Sequence, residues 1–431
     1  MMTADVNADV VVALVPGDKS VGIRALVMAL LAREPSHLRG LADCRITTTT
    51  IAAIRALGAT VDVRVRPQQG VVAGAIDVTI TPPTELTADV VIDCAGSATL
   101  ARLLLGLLAG RNVAATITGS AMLCRRPMAR VAVPLSRLFG REVVALTEGR
   151  LPARIVTGDV DRVGDDVILP GDSAQVRTAV MLAAVAAGRA VTLWSARPGR
   201  RHTEQLLRWQ GVDVIDDDVD DAGRPRRTRI PAVTTLPALQ LDVPGDPSAA
   251  AFLDAYAALT QRRRLDIVGL LDDEERTGLR RALARMRKGG GLRGIIVDAA
   301  EIPDLVDEVP ILAAVCAGAS SPSRLRGLAE LRVKESDRLA RIIDLLNAFG
   351  VDAVLDDDDL QIFPGPWRAP SAPVRTDHDH RLAMTALVMG AVADVPVTLD
   401  DDACVDDSWA GFAAQLAAVI EASSTTPEER P

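Results

Sequence analysis

The stretch GIRALVMALLA (22–32) is the first of six similar segments that decide the fold. Each is a predicted helix rich in Ala and Leu that leads through a turn into a short β-branched strand. The other five are ATLARLLLGLLAG (98–110), AQVRTAVMLAAVAAG (174–188), SAAAFLDAYAAL (248–259), VPILAAVCAGA (309–319) and HRLAMTALVMGAVA (380–393). Because these segments recur at a spacing of about 60 to 80 residues, the chain is built from one repeated unit.

A second predicted helix follows in every unit and usually ends near a glycine before a Val-rich strand. These helices lie in IAAIRALGATVDV (51–63), RVAVPLSRLFGREVV (130–144), EQLLRWQGVDV (204–214), RTGLRRALARMRKGGG (276–291), LARIIDLLNAFGVDAV (339–354) and DSWAGFAAQLAAVIEA (407–422). Six α/β units of this size favour two similar domains of three units each over one doubly wound sheet. The units are too long for a solenoid.

The amino-acid composition limits the classes of protein to which the chain can belong. The 431 residues are 48% apolar, yet no apolar run approaches the roughly 20 residues that span a bilayer. The N-terminal MMTADVNADV is acidic and lacks the layout of a signal peptide, so we expect a soluble, cytoplasmic protein. A net charge of −9 and 2% aromatic residues argue against nucleic-acid binding. We expect small-molecule substrates, no nucleic acid, no membrane and a monomeric chain.

The residues that commonly bind metals form no convincing site. Five cysteines are dispersed without a CxxC pair, which argues against a disulfide framework or a zinc centre. The His-Asp-His sequence 378–380 lacks a third ligand motif. We therefore expect no metal.

Basic residues point instead to an anionic ligand. Nearly all of the 48 basic residues are arginine, and the lysines are Lys19, Lys288 and Lys334. A lysine retained in such a chain suggests a position that needs a compact, rotatable ammonium. Lys19 and Lys334 lie within dense polar motifs, whereas Lys288 in RMRKGGG is compatible with chance.

Four of the six first helices carry an arginine at what the repeat alignment gives as the same early position. They are Arg24, Arg102, Arg177 and Arg381. Helix N-termini attract anions, and a guanidinium adds a bidentate fork for phosphate or carboxylate. We expect the four to share an anion site, although each taken alone is compatible with a plain surface arginine.

Seven polar motifs precede or open predicted helices. They are PGDKSVGIRAL (16–26), DCAGSATLARLL (93–104), CRRPMARV (124–131), LPGDSAQVRTA (169–179), IPDLVDEVPILAA (302–314), LRVKESDRLARI (331–342) and TDHDHRLAM (376–384). The first is a plausible phosphate clamp without the spacing of a P-loop. In the sixth, a helical interpretation puts Lys334 and Arg338 on one face, four residues apart.

Together these motifs resemble the 5-enolpyruvylshikimate-3-phosphate synthase family of enolpyruvyl transferases. PGDKSVGIRAL is similar to the family's PGSKS-xx-xRAL motif, and LRVKESDR matches a second family motif without change. The RRPM, SAQV and DHRLAM segments follow in the family's order, so the resemblance runs from about residue 11 to about 420. It implies α/β architecture with two inside-out domains, each of three βαβαββ repeats. The implied domains are 1–15 plus 239–431 and 16–238, with 423–431 a disordered tail.

The resemblance also implies site residues. Phosphoenolpyruvate would be bound by Lys19, Arg126, Gln175, Arg338 and Arg381. The phosphorylated acceptor would be bound by Ser20, Arg24, Ser173, Arg200, Asp307 and Lys334.

The implied reaction needs no metal or organic cofactor. It needs one proton removed from an alcohol and one delivered to the methylene carbon of phosphoenolpyruvate. Two carboxylates in different environments suit this division. We expect Asp307 to act as the base and Glu335 as the acid, with Lys19 sharing proton transfer and stabilising the departing phosphate.

The chain departs from the family pattern mainly on the acceptor side. The departures are Asp18, Gly22, Ile23, Gly96, Ala98, Arg201 and Asp407. Lost hydrogen-bond partners change discrimination between substrates more than they change chemistry. Three interpretations therefore stay open: transfer to shikimate 3-phosphate, the same transfer to another alcohol, and ligand binding without catalysis.

Overall fold

The computed structural model describes residues 10–159, 166–169, 171, 173–195, 200–220, 224–261, 264–270 and 276–424. Its α-helices, numbered in chain order, are α1 (Lys19–Met28), α2 (Arg45–Ala56), α3 (Ala98–Arg111), α4 (Ala121–Cys124), α5 (Ala129–Phe139), α6 (Ala174–Ala186), α7 (His202–Trp209), α8 (Pro247–Thr260), α9 (Gly278–Met286), α10 (Val309–Ala317), α11 (Arg338–Ala348), α12 (His380–Ala393) and α13 (Phe412–Ser424).

The strands are numbered in the same way. They are β1 (Val10–Ala13), β2 (Ser36–Ala42), β3 (Thr60–Arg66), β4 (Ala75–Thr81), β5 (Val90–Asp93), β6 (Ala115–Thr118), β7 (Val144–Thr147), β8 (Arg150–Ile155), β9 (Asp166–Ile168), β10 (Val191–Trp194), β11 (Ile215–Val219), β12 (Pro225–Ile230), β13 (Gln240–Asp242), β14 (Arg264–Ile267), β15 (Arg287–Lys288), β16 (Gly291–Leu292), β17 (Ile296–Val297), β18 (Ser323–Leu325), β19 (Asp352–Asp356) and β20 (Asp359–Phe363).

One sheet topology recurs four times in the described part of the chain. The strand orders are β13-β2-β4-β3, β5-β6-β8-β7, β9-β10-β12-β11 and β17-β18-β20-β19. In each sheet the first pair is parallel and the next two pairs are antiparallel. This repetition confirms the mixed α/β architecture that the six Ala/Leu segments predict.

The first helix of each unit is buried, because it is apolar on nearly every side. Helices α1, α3 and α6 pack together in one core, whose buried residues run from Val21 to Val243. Helices α8, α10 and α12 pack together in a second core, formed by Ala13, Val15, Ala73 and residues from Ala250 to Val419. The predicted helix positions are confirmed, whereas the domain limits 1–15 plus 239–431 and 16–238 stay a prediction.

The chain passes between the two cores at two segments that pair with each other. Gly17 and Gly245 form an isolated antiparallel bridge. A Cβ on Gly17 would lie 2.0 Å from the Gly40 carbonyl oxygen, so this close approach requires glycine. The bridge sets the starts of α1 and α8 side by side.

The C-terminal end differs from the prediction of a tail beginning at residue 423. Helix α13 continues through Ser424, so residues 423 and 424 are helical. Residues 425–431 lie outside the described residues. In the part of the chain that the structure describes, no helix has the length and apolarity needed to cross a bilayer.

Candidate active site

Several of the predicted site residues, together with His380, lie at the N-terminal ends of helices. Lys19 opens α1 and Arg338 opens α11, while His380 and Arg381 are the first two residues of α12. Asp307 lies just before α10. Helix N-termini carry partial positive charge, so their convergence creates a place suited to anions.

Asp307 is surrounded by guanidinium groups. Its Oδ2 lies 2.7 Å from Arg200 Nη1 and 3.9 Å from Arg381 Nη2, and its Oδ1 lies 3.8 Å from Arg338 Nη1. Arg381 Nη1 also donates to the Asp307 backbone carbonyl at 2.9 Å. Burial raises the pKa of Asp307, but Arg381 and Arg200 outweigh burial and hold this pKa well below the usual range. Asp307 is therefore an ionised carboxylate that can accept a proton.

Glu335 lies between two arginines. Its Oε2 accepts from Arg338 Nη2 at 2.5 Å, and its Oε1 lies 3.5 Å from Arg126 Nη1. Burial raises the pKa of Glu335, but Arg338 and Arg126 hold it well below its ordinary value. Asp379 fixes Arg338 from the other side, accepting from Nε at 2.8 Å. Glu335 is therefore ionised in this arrangement.

Lys19 lies against His380, with 3.4 Å between Lys19 Nζ and His380 Nε2. Burial and the nearby Arg381 lower the pKa of Lys19. Burial, Lys19 and Arg381 together hold the pKa of His380 well below its ordinary value. His380 is therefore a neutral imidazole beside the ammonium. Sequence reasoning weighed His380 only as a metal ligand and missed this contact.

Three of the surrounding arginines carry buried N–H donors without an acceptor among the described residues. They are Arg126 Nε, Arg200 Nη2 and Arg338 Nη1. Buried donors nearly always have partners, so three orphans close to two carboxylates need an explanation. An anionic ligand with several oxygens would supply the acceptors.

A cavity of about 580 Å³ opens beside Glu335 and includes Arg126 and Lys334 in its lining. A larger cavity of about 810 Å³ lies beside Lys288 and residues 289–291, and it contains none of the predicted site residues. We assign the site by its chemistry rather than by cavity size.

The predicted acceptor residues have mixed surroundings. Arg24 is 2% exposed and donates from Nη1 to Ser20 Oγ at 2.6 Å, so it lies beneath Ser20. Its Nε donates to Thr178 and Thr203 at 3.2 Å. Ser173 precedes α6 and its side chain makes no capping hydrogen bond. That Ser20, Arg24 and Ser173 bind the acceptor stays a prediction.

The expectation that Lys334 and Arg338 share a helix face is wrong. Residues Ala329–Val333 form a 3₁₀ helix, Lys334 ends it, and α11 starts only at Arg338. Lys334 Nζ lies 2.6 Å from Glu330 Oε1. The intervening loop brings Glu335 toward Arg338 at 2.5 Å.

The predicted phosphoenolpyruvate residue Gln175 contacts the neighbouring helix α3. Its Oε1 accepts from Arg102 Nη1, and its Nε2 donates to Thr99 Oγ1 at 2.8 Å. Arg102 also donates to the Pro127 carbonyl at 3.3 Å. The Arg102 guanidinium therefore binds groups of the protein itself, Gln175 among them.

The expectation of four equivalent helix arginines is also wrong. Arg24 is the sixth residue of α1, whereas Arg381 is the second residue of α12. Arg177 is 2% exposed, and its Nε donates to Glu204 at 2.5 Å. Its two other nitrogens donate to Ser195 and Thr228. Arg177 is a core ion pair, because its donors are used inside the fold.

Two departures from the family pattern lie away from the cleft. Gly22 and Ile23 are buried residues of α1, and Ile23 belongs to the first core. A Cβ on Gly22 would lie 2.8 Å from Leu41 Cδ2, so a larger residue there would press on the core. Gly96, in contrast, has no atom within 4 Å of a built Cβ.

The charged departures each have a partner. Buried Asp18 pairs with Arg276, a residue that sequence reasoning missed. Arg201 pairs with Asp216. Asp407 Oδ1 accepts from Arg45 Nη1 at 2.9 Å. Asp18 therefore does not repel an anion as a free carboxylate would.

Among the described residues, no group of three or more His, Cys, Asp or Glu side chains lies close enough to hold a metal ion. The two histidines of the H-x-H sequence have different partners: His378 Nδ1 lies 2.5 Å from Asp401, whereas His380 contacts Lys19.

Comparison with known proteins gives a consistent relationship. Residues 3–416 match the family model described as EPSP synthase (3-phosphoshikimate 1-carboxyvinyltransferase). The chain is 40% identical to a 3-phosphoshikimate 1-carboxyvinyltransferase of Acidiphilium cryptum, over 95% of each chain. It is 38% identical to the protein of that name from Gluconobacter oxydans, over 92% of each chain.

A solved EPSP synthase structure from Acinetobacter baumannii superposes with a TM-score of 0.75 at 30% identity, covering 97% of this chain and 96% of the other. This likeness confirms the predicted α/β class with two domains. Sequence and structure agree over nearly the whole length, and the chain belongs to the EPSP synthase (3-phosphoshikimate 1-carboxyvinyltransferase) family.

Proposed function

We propose that the chain transfers the enolpyruvyl group of phosphoenolpyruvate to a hydroxyl of shikimate 3-phosphate and releases phosphate. The observation that carries the proposal is the set of orphan donors on Arg126, Arg200 and Arg338 around the carboxylates Asp307 and Glu335. Both substrates are polyanions, and guanidinium forks bind phosphate and carboxylate oxygens well.

Phosphoenolpyruvate needs cations for its carboxylate and its phosphate. Arg126, Arg338 and Arg381 are proposed to supply guanidinium forks, with Lys19 as a compact ammonium and Gln175 as a neutral donor. The support is proximity: Arg338 and Arg126 flank Glu335, and Arg381 and Arg338 flank Asp307. Fixed cations would orient the substrate and stabilise charge as the phosphate departs.

The acceptor is proposed to be held by Ser20, Ser173, Arg200 and Lys334, with Arg24 supporting Ser20. Arg200 has a further reason for this role: its Nη1 binds Asp307, while its buried Nη2 has no acceptor among the described residues. An acceptor phosphate on Nη2 would leave Asp307 free to meet the reacting hydroxyl.

Proton transfer follows from the two carboxylates. Asp307 accepts the hydroxyl proton as the acceptor oxygen attacks C2 of phosphoenolpyruvate, and C3 gains a proton in the same addition. The tetrahedral intermediate then expels phosphate and loses a proton from C3, which restores the enol ether. Asp307 is ionised, because Arg381 and Arg200 hold its pKa well below the usual range. Substrate anions that bind these arginines would raise this pKa and make Asp307 a stronger base.

Glu335 requires one further condition before it can serve as the acid. Arg338 and Arg126 depress its pKa in this arrangement. When the anionic groups of phosphoenolpyruvate bind these arginines, their charge is shared with the ligand and the pKa of Glu335 rises. The substrate would thus prepare its own proton donor. Lys19 has its pKa lowered by burial and is placed to share the proton.

We further propose that the chain works as a cytoplasmic monomer. The residues assigned above all belong to one chain. Sedimentation velocity at working concentration tests this: one species near 45.5 kDa would support it, and a dimer would overturn it.

Identification of the product tests the proposed reaction. Purified protein is incubated with both substrates, and the mixture is examined by mass spectrometry for shikimate 3-phosphate carrying an added enolpyruvyl group. Glu335→Gln serves as the chemically matched variant. Formation of the ether by the unaltered protein, strongly reduced in the variant, supports the proposal; a different or missing product would overturn it.

A further inference from the structure

The two segments that connect the cores share a sequence as well as a pairing. Residues 15–18 and 243–246 both read Val-Pro-Gly-Asp. Asp18 N–H donates to the Pro244 carbonyl at 2.7 Å, and Asp246 N–H donates to the Pro16 carbonyl at 2.9 Å. The two aspartates therefore face a common point at the crossover.

Each of these aspartates caps a buried helix. Asp18 Oδ1 accepts from Val21 N–H at 2.8 Å at the start of α1, and Asp246 Oδ1 accepts from Ser248 N–H at 2.8 Å at the start of α8. Capping satisfies free helix N–H groups. It also brings two carboxylates together in a buried place, where uncompensated charge is costly.

Arg276 bridges the two carboxylates. Its Nη1 donates to Asp18 Oδ2, and its Nη2 donates to Asp246 Oδ1 at 2.5 Å and to Ser248 Oγ at 2.7 Å. The Arg276 side chain is 3% exposed and that of Asp18 is fully buried. The planar guanidinium, with its separated nitrogens, binds both carboxylates at once.

Lys19 depends on this arrangement in two ways. It follows Asp18 directly in the chain, and its backbone N–H donates to Asp246 Oδ2 at 3.3 Å. Its ammonium points to His380, at 3.4 Å. Asp246 also attracts the Lys19 ammonium and, against the larger effect of burial, raises its pKa. Without Arg276, the unpaired Asp246 carboxylate would attract more strongly the ammonium that the proposed function assigns to phosphoenolpyruvate.

We propose that Arg276, Asp18 and Asp246 form a positioning clamp that keeps the Lys19 ammonium available for phosphoenolpyruvate. The three are positioning residues, since they act through Lys19. This inference rests on the proposed function, in which Lys19 contacts phosphoenolpyruvate.

Kinetics and direct binding of four variants test the clamp. The variants are Arg276→Met, Arg276→Lys, Asp18→Ser and the double variant Asp18→Ser/Arg276→Met. KM for phosphoenolpyruvate and kcat are measured with shikimate 3-phosphate, and phosphoenolpyruvate affinity is measured by calorimetry without turnover. Arg326→Met is the matched control, because it removes an exposed ion pair with Asp298.

Arg276→Met is expected to raise KM and Kd for phosphoenolpyruvate at least tenfold, and Arg276→Lys about threefold to tenfold, because a lysine keeps the charge without the fork. Asp18→Ser keeps a helix cap and is expected to change both less than threefold. Adding Asp18→Ser to Arg276→Met removes one of the two carboxylates that lose their partner, so the double variant should recover part of the loss. Arg326→Met should match the unaltered protein.

Unchanged KM and Kd in Arg276→Lys would overturn the clamp, and so would a double variant no better than Arg276→Met. A merely structural role would lower the folded fraction and kcat while KM stayed constant. If Arg276→Met does not fold, Arg276→Lys decides alone. An unaltered protein without turnover would overturn the proposed reaction, whereas phosphoenolpyruvate affinity would still report on the clamp.

Discussion

Arg200 Nη1 lies 2.7 Å from Asp307 Oδ2. This ion pair connects the part of the chain that forms the first core with the part that forms the second core. Arg126 and Glu335 make a second such link at 3.5 Å. In both pairs a proposed substrate-binding cation holds a proposed catalytic carboxylate. Substrate anions would therefore compete with the protein's own carboxylates for these arginines.

Arg200→Met is expected to raise KM for shikimate 3-phosphate by roughly tenfold to a hundredfold, which corresponds to one charge-assisted hydrogen bond. KM for phosphoenolpyruvate should rise much less. Steady-state kinetics with each substrate varied in turn measures the difference. Arg208→Met, which removes a surface pair with Asp216, is the control. Equal effects on the two substrates would remove Arg200 from the acceptor side.

Glu335→Gln is expected to lower kcat by about 10²–10⁴, the usual contribution of a positioned acid or base. Its thermal midpoint should stay within a few degrees of the unaltered protein, since Gln keeps the shape of the side chain. The comparison variant is Glu301→Gln, at an exposed pair with Arg285. Turnover retained within threefold would exclude Glu335 from proton transfer.

The lowered pKa of buried His380 makes the thermal stability of the fold depend on pH. Its folded pKa lies well below the 6.5 of the unfolded chain, so the unfolded state takes up a proton first as pH falls. Its contribution to stability is present above about pH 6.5 and is lost as pH falls from there toward the folded pKa. The unaltered protein should thus lose more thermal stability between pH 7.5 and 5.5 than His380→Gln. Parallel losses in both would show that His380 is not buried as the neutral form.

Glu204→Ala is expected to destabilise the fold by about 3–5 kcal/mol, because it leaves the Arg177 guanidinium buried without its carboxylate. Denaturant unfolding measures this, and Asp298→Ala at the exposed Arg326 pair should cost at most about 1 kcal/mol. A small effect of Glu204→Ala would return Arg177 to the list of possible ligand-binding residues.

Gly22→Ser tests the claim that this position faces the core. The new side chain would meet Leu41, so a loss of about 1–3 kcal/mol is expected, with KM for the acceptor unchanged. Gly96→Ser enters open space and should change stability by less than about 0.5 kcal/mol. If Gly22→Ser instead lowered acceptor KM without destabilising, the position would belong to the site.

The local pattern predicted the helices well, because Ala/Leu runs with glycine stops leave few alternatives. It could not predict which arginines face the cleft. The guanidinium nitrogens of Arg177 donate to Glu204, Ser195 and Thr228 inside the fold. Arg276 binds Asp18, from which it is separated by 258 positions in the sequence. Such pairings depend on how the two cores meet. One local signal was available: the repeated Val-Pro-Gly-Asp at 15–18 and 243–246.

The burial of individual residues changes the interpretation of the acceptor-side departures from the family pattern. Gly22 and Ile23 face the core, and Asp18 is neutralised by Arg276. A sequence comparison treats every changed polar residue in a motif as a possible ligand contact. The structure separates those that line the cleft from those that do not, which favours shikimate 3-phosphate as the acceptor.

Phosphate release from phosphoenolpyruvate, with and without shikimate 3-phosphate, tests the central claim most directly. Rapid release is expected only when both substrates are present. Failure of shikimate 3-phosphate to stimulate release, in protein shown to be folded, would contradict it and direct attention to other alcohols or to binding without catalysis.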